Sequence, residues 1–130
     1  MSIEVHIIDG PLQEEHAALG VEGAGAMLCF EGVVRPLEDG QEIAGLHYEV
    51  YEPMASRVLR QLAEDTHQRF AVLAIRVEHS RGNVPSGHCS FRLRIASTHR
   101  KEALAAMDHF IDRLKQDVPI WKQSLKKGTL

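Results

Sequence analysis

The chain has 130 residues, 44% hydrophobic and 25% charged, with a formal net charge of −3. This length suits one unit, residues 1–130, with a real core, and the composition argues against both a disordered chain and a membrane protein. An acidic balance also argues against general nucleic-acid binding, which needs a basic field over much of the surface. The opening MSIEVHIIDG has no basic region followed by a long apolar core, so the expected location is cytoplasmic. Cys29 and Cys89 belong to no CxxC pair, and the 8 histidines show no HxH or HExxH spacing, so neither a disulfide framework nor a metal site is expected. Charge is unevenly spread. After Asp117 no acidic side chain remains, while Lys122, Lys126 and Lys127 follow, which makes the C-terminal end a local basic patch.

In chain order, Ile3 to Ile8 alternates as a short strand, and Asp9-Gly10-Pro11 turns into a brief helix expected to end near Gly20. Gly20, Gly23 and Gly25 precede a strand and do not fit GxGxxG, so they read as a loop, not a dinucleotide site. Ala26 to Arg35 and Ile43 to Tyr51 are strand-like around a turn at Pro36 to Gly40, which predicts a hairpin-like pair weakened at Gly45. From Pro53 to Arg69, Met54, Val58, Leu59, Leu62 and Ala63, with Phe70 just beyond, recur at helical spacing. Val72 to His79 and His88 to Ser97 read as two strands joined through Gly82, Pro85 and Gly87. A further helix starts near Thr98, places Leu104, Met107, Phe110, Ile111 and Leu114 on one stripe, and must stop before Pro119. The sum is an α+β domain with a mixed or antiparallel sheet and about three helices.

Three places carry basic side chains in a pattern that suggests chemistry. Ser97-Thr98-His99-Arg100-Lys101 puts three potentially cationic groups at a helix start, where the dipole disfavours them. An anion held there by free backbone N–H groups and Arg100 explains that placement; side chains simply pointing into water explain it too. Lys115 and Lys122 flank the segment Asp117-Val118-Pro119-Ile120-Trp121, and if the chain doubles back at Pro119 both can reach one pocket suited to acid/base or covalent chemistry. The alternative is two ordinary surface lysines. Arg35 ends its strand just before Pro36. Trp121, the single tryptophan, is expected to pack in the core, and Cys29 and Cys89 are expected to be small buried hydrophobes.

Four ordered motifs resemble the large, catalytic subunit family of molybdopterin synthase over about Ile3 to Lys122. They are Phe30-Glu31-Gly32-Val33-Val34-Arg35; Leu46-His47-Tyr48-Glu49-Val50-Tyr51 with Met54-Ala55; Ser97-Thr98-His99-Arg100; and Leu114-Lys115 with Val118-Pro119-Ile120-Trp121-Lys122. The resemblance implies an α/β hammerhead-type fold and a homodimer within a heterotetramer. It implies as partner a small ubiquitin-like sulfur carrier whose C-terminal Gly-Gly is a thiocarboxylate. The substrate it implies is cyclic pyranopterin monophosphate, converted to the dithiolene of molybdopterin, with no cofactor, no nucleic acid and no membrane involved. By position, Lys115 and Lys122 become the catalytic pair. Arg35, His99 and Arg100 become ligands of the precursor, with Val33, Val34, Gln123 and Ser124 lining its pocket. Where many members of the family carry a lysine two residues before the arginine, this chain has Val33, and its tail after Lys122 is short. Two alternatives follow: a catalytically impaired relative that keeps partner binding, or a regulatory domain that binds a phosphorylated metabolite.

Overall fold

Alternating apolar residues identify strands, but only backbone pairing fixes their neighbours. In the computed structural model, which describes residues 2–14 and 19–128, the order is β1 (Ser2–Asp9), β2 (Ala26–Val33), β3 (Leu37–Glu38), β4 (Gln41–Val50), α1 (Met54–Phe70), β5 (Ala74–Pro85), β6 (Cys89–Ser97), α2 (Arg100–Asp117) and β7 (Ile120–Lys126). β5 is the spine. Its first part lies between β1, parallel, and β6, antiparallel, and its last residues, Gly82 to Pro85, cross to pair with β4. β2 extends the sheet beyond β6, and β7 lies along the other side of β4. No helix among the described residues is long and apolar enough to cross a membrane.

Three expectations need correction. The strands at Ala26–Val33 and Gln41–Val50 do not pair with each other: β2 pairs with β6, and the tight hairpin joins β3 to β4 through Asp39 and Gly40, both at positive φ. Pro36, which has no N–H to offer a ladder, interrupts the chain between β2 and β4, and β2 takes β6 as its partner, with a register shift at Gly32/Val33. Two helices, not about three, are present among the described residues. The brief helix expected before Gly20 falls partly on residues 15–18, outside the described set, while its described start has other commitments: Gly10 donates to the Arg81 carbonyl and Leu12 to the Cys89 carbonyl. The C-terminal segment, given no element from its sequence, forms β7, whose ladder runs from Ile43↔Lys126 to Val50↔Ile120.

Both helices pack on one face of the sheet. Leu59, Leu62 and Ala63 of α1 and Ala103, Ala106 and Phe110 of α2 meet Ile75, Val77, Leu93 and Ile95 in the main core. Each such side chain contributes roughly 1.5–3 kcal/mol on leaving water. Met54 and Leu104, assigned to the apolar stripes by spacing, are exposed. A Glu52 oxygen accepts the Ser56 amide at 2.8 Å, satisfying one of the N–H groups left open at the start of α1. The other face of the sheet is a charged ladder. There Arg92 donates from Nε and Nη2 to Glu31 at 2.8 Å and faces Glu78 through Nη1 at 3.3 Å.

Candidate active site

The C-terminal end of α2 overhangs the place where β5 leaves one set of partners for the other, and a cavity of about 730 Å³ opens there. Its floor comes from His79 on β5 and Ser90 and Phe91 on β6. Phe30 to Arg35 form one wall, Leu46 and Tyr48 of β4 another, and Ile111, Leu114 and Lys115 of α2 with Ile120 and Lys122 of β7 close the rest. Strand register explains Lys122. It lies opposite Tyr48 in the β4–β7 ladder, so the two side chains share a face. The reversal at Val118-Pro119, where Val118 donates to the Leu114 carbonyl and the next strand begins, returns Lys122 to the cavity that Lys115 lines.

Three cations therefore line one cavity: Arg35, Lys115 and Lys122. One carboxylate pairs with them: Glu38 reaches Arg35 Nη2 at 3.6 Å and Lys122 Nζ at 3.5 Å, whereas the Glu31 carboxylate turns to the charged face of the sheet, where Arg92 holds it at 2.8 Å. On the floor, Tyr48 Oη and Ser90 Oγ are 2.9 Å apart, and the His79 ring stands edge-on to Tyr48 with centroids at 5.1 Å. The His79 Nδ1 lies 2.8 Å from the Ser80 carbonyl oxygen. A carbonyl can only accept, so Nδ1 carries the hydrogen and Nε2 is left as an acceptor. Burial pushes the imidazole below the ordinary histidine range, against the opposing effect of that hydrogen bond, so the ring is neutral near pH 7.

Of the residues singled out from sequence, Lys115, Lys122, Arg35, Val33 and Val34 meet in this cavity. Val33 is half exposed at the mouth, and Val34 is buried in a small cluster with Ile43, Leu46 and Val84. Ser124 lies opposite Leu46, farther along β7, and Gln123 lies opposite His47; neither lines the cavity. His99 and Arg100 line a different one, with Gly25, Ala26 and Thr98 at the start of α2. They are 15 or more residues from Lys115 on the same helix, a separation of roughly 22 Å along the axis at 1.5 Å per residue. Trp121 is 58% exposed rather than packed in the core, because it alternates with Lys122 and takes the opposite side of β7. The cysteines are not buried hydrophobes either. Cys29 is exposed on edge strand β2, and Cys89 is half-buried with its thiol pushed up by burial. Sequence reasoning missed Glu38, His79, Ser90 and Phe91. Tyr48 was within reach, since it sits in a motif already noticed.

Comparison with known proteins places this geometry in a family. A family model described as MoaE protein matches residues 8–117. The molybdopterin synthase catalytic subunit of a Nostoc species is 39% identical over 113 residues, covering 86% of this chain and 68% of that one. Several relatives bearing the same name are longer, and the chain spans 34–54% of their length. Among solved structures, molybdopterin synthase from Staphylococcus aureus superposes with a TM-score of 0.83 at 29% identity, covering 94% of this chain and 90% of that one. A complex of subunits 1 and 2 of molybdopterin-converting factor from Helicobacter pylori superposes with a TM-score of 0.69 at 26% identity, covering 95% and 90%. The chain belongs to the MoaE family of molybdopterin synthase catalytic subunits, enzymes of molybdenum cofactor biosynthesis.

Proposed function

We propose that the cavity beneath α2 is where cyclic pyranopterin monophosphate receives sulfur from the C-terminal thiocarboxylate of a small ubiquitin-like partner, giving molybdopterin. The observation that carries this reading is the convergence of Arg35, Lys115 and Lys122 on one cavity of about 730 Å³, within the usual size range of small-molecule sites. Precursor and sulfur donor are both anionic, and a site that joins two anions must first neutralise their repulsion. One lysine acts in acid/base or covalent chemistry on the pterin, and the other stabilises the carboxylate or oxyanion that develops as sulfur leaves the carrier. The sulfur arrives on the partner, so no cysteine of this chain takes part. The Phe30 to Val33 side of the mouth, with Phe30 and Val33 exposed, suits a thin Gly-Gly tail entering along backbone.

His99 and Arg100 belong to the same function through a second copy of the chain. The length of α2 keeps them from the lysines of their own subunit, so a homodimer, itself within a heterotetramer, presents them to the neighbouring cavity. Purified protein, cyclic pyranopterin monophosphate and thiocarboxylated partner, analysed by mass spectrometry, provide the test. Molybdopterin is expected from the unaltered chain, with a loss of about 100-fold or more in Lys115→Ala. Folded Lys115→Ala and Lys122→Ala proteins that turn over at the unaltered rate would overthrow the proposal.

A further inference from the structure

The cation cluster already has an occupant. Glu38 stands between Arg35 and Lys122, one carboxylate oxygen facing each at 3.6 and 3.5 Å, and its side chain is 21% exposed where those of Arg35 and Lys122 are 75% and 57%. A carboxylate tucked among more exposed cations is arranged as an anionic ligand would be. We infer that Glu38 is a built-in counter-anion of the pocket, displaced when an anionic substrate binds, and that it sets how tightly the site takes such a ligand.

Geometry separates this from a structural ion pair. Charge-assisted N–H···O contacts that fix a structure are usually about 2.7–2.9 Å. The same molecule has such contacts at Arg92–Glu31 and Arg81–Asp9, both 2.8 Å. Both contacts of Glu38 are longer by more than half an ångström, so the attraction is Coulombic without a well-formed hydrogen bond. Its backbone is also lightly held. β3 contributes two ladder pairs, Leu37↔Glu42 and Glu38↔Gln41, and then turns at Asp39 and Gly40 with φ of 52° and 78°. Beyond these pairs the hairpin is closed by the Ile43 amide donating to the Pro36 carbonyl at 2.9 Å, so what holds Glu38 against the cations is its side chain, which can leave them without breaking the ladder. Glu31, whose backbone is part of the same wall, cannot play this part because Arg92 engages its carboxylate through two nitrogens on the charged face of the sheet.

The consequence rests on the proposed sulfur-transfer site but can be read without turnover. Inorganic phosphate is the probe, titrated into the intact protein and followed by NMR shifts of the Arg35 and lysine side chains. Glu38→Gln removes the competing charge and keeps the shape, and should lower the phosphate dissociation constant by about 3- to 10-fold, as expected for loss of two partly exposed ion pairs. Glu38→Asp keeps the charge but shortens the reach, and should fall between the two. In the reconstituted reaction the same Glu38→Gln change should appear as a lower KM for the pterin. Unchanged or weaker phosphate binding in a folded Glu38→Gln protein would show that Glu38 positions the cations instead, and would overturn the inference. Tighter phosphate binding with no molybdopterin formed by the unaltered chain would refute the sulfur-transfer reading and leave this one standing.

Discussion

Gly45 tests whether the cavity depends on close strand approach. It lies in β4 at the register shift against β7, opposite Pro85 of β5. A Cβ added there would fall inside the envelope of the Val84 carbonyl oxygen, 2.9 Å from Pro85 Cα and 3.0 Å from the Val84 carbonyl carbon. All three obstacles are backbone, so no rotamer change relieves them, and β4 must move away from β5. Overpacking of this kind costs about 1–3 kcal/mol, and a backbone obstacle puts Gly45→Ala at the upper end. For a chain of this size that is roughly 8–12 °C in Tm. Leu46 and Tyr48 follow directly on β4 and line the cavity, so sulfur transfer should fall along with stability. The matched control is Gly32→Ala, whose Cβ meets Phe91 Cβ at an ordinary 3.4 Å and should stay within about 0.5 kcal/mol. Thermal and urea unfolding followed by circular dichroism measure both. Equal midpoints for the two variants would show that β4 has slack and that the approach at Gly45 is not a constraint.

Two further perturbations follow from the charged and titrating groups near the sheet. Arg92→Leu strips the partner from Glu78, whose side chain is 9% exposed, and should cost about 3–5 kcal/mol in urea unfolding. Glu31→Gln, at a side chain 47% exposed, should cost under about 1 kcal/mol, and comparable losses would contradict the burial argument. Burial holds His79 below the ordinary imidazole value of 6.5, so as pH falls through 6.5 the unfolded chain takes up a proton that the folded one does not. Its contribution is complete above that pH and declines below it, with a slope of at most about 1.4 kcal/mol per pH unit until the folded group titrates too. Urea midpoints between pH 5 and 8 should therefore vary less in His79→Gln, and parallel curves for the two proteins would rule out this origin.

Much of the scaffold was legible because its signals are local. The apolar spacing of Leu59, Leu62 and Ala63, and the stop imposed by Pro119, mark α1 and α2 to within a few residues. What spacing cannot supply is partnership. Leu28 and Phe30 would alternate in the same way beside β4 as beside β6, and only long-range packing decides in favour of β6. Ile120 to Lys126 escaped notice for another reason. Exposed Trp121, Gln123 and Ser124 beside exposed lysines show little apolar alternation, and the strand forms because β4 offers it an open ladder.

The site was legible by charge but not by distance. Arg35, Lys115 and Lys122 line one cavity, a grouping that the resemblance implied and that the residues alone left open, whereas His99 and Arg100, grouped with them by the same resemblance, line another at the start of α2, a helix read from its sequence as running from near Thr98 and stopping before Pro119. Its length alone puts about 22 Å between the two groups, so within one chain they serve different places. If the homodimer unites them, each pocket draws its lysines from one copy and its His99 and Arg100 from the other, and complementation can reveal it. Lys115→Ala and Arg100→Ala proteins should each be inactive alone. After mixing and subunit exchange, half of the dimers are mixed, and each of these has one pocket with both residues intact and one with neither. Sulfur transfer should then recover to about one quarter of the unaltered level, as random pairing of two-fold dimers requires. No recovery, with exchange verified by native mass spectrometry, would mean that each pocket is built from one chain and that the start of α2 binds an anion of its own.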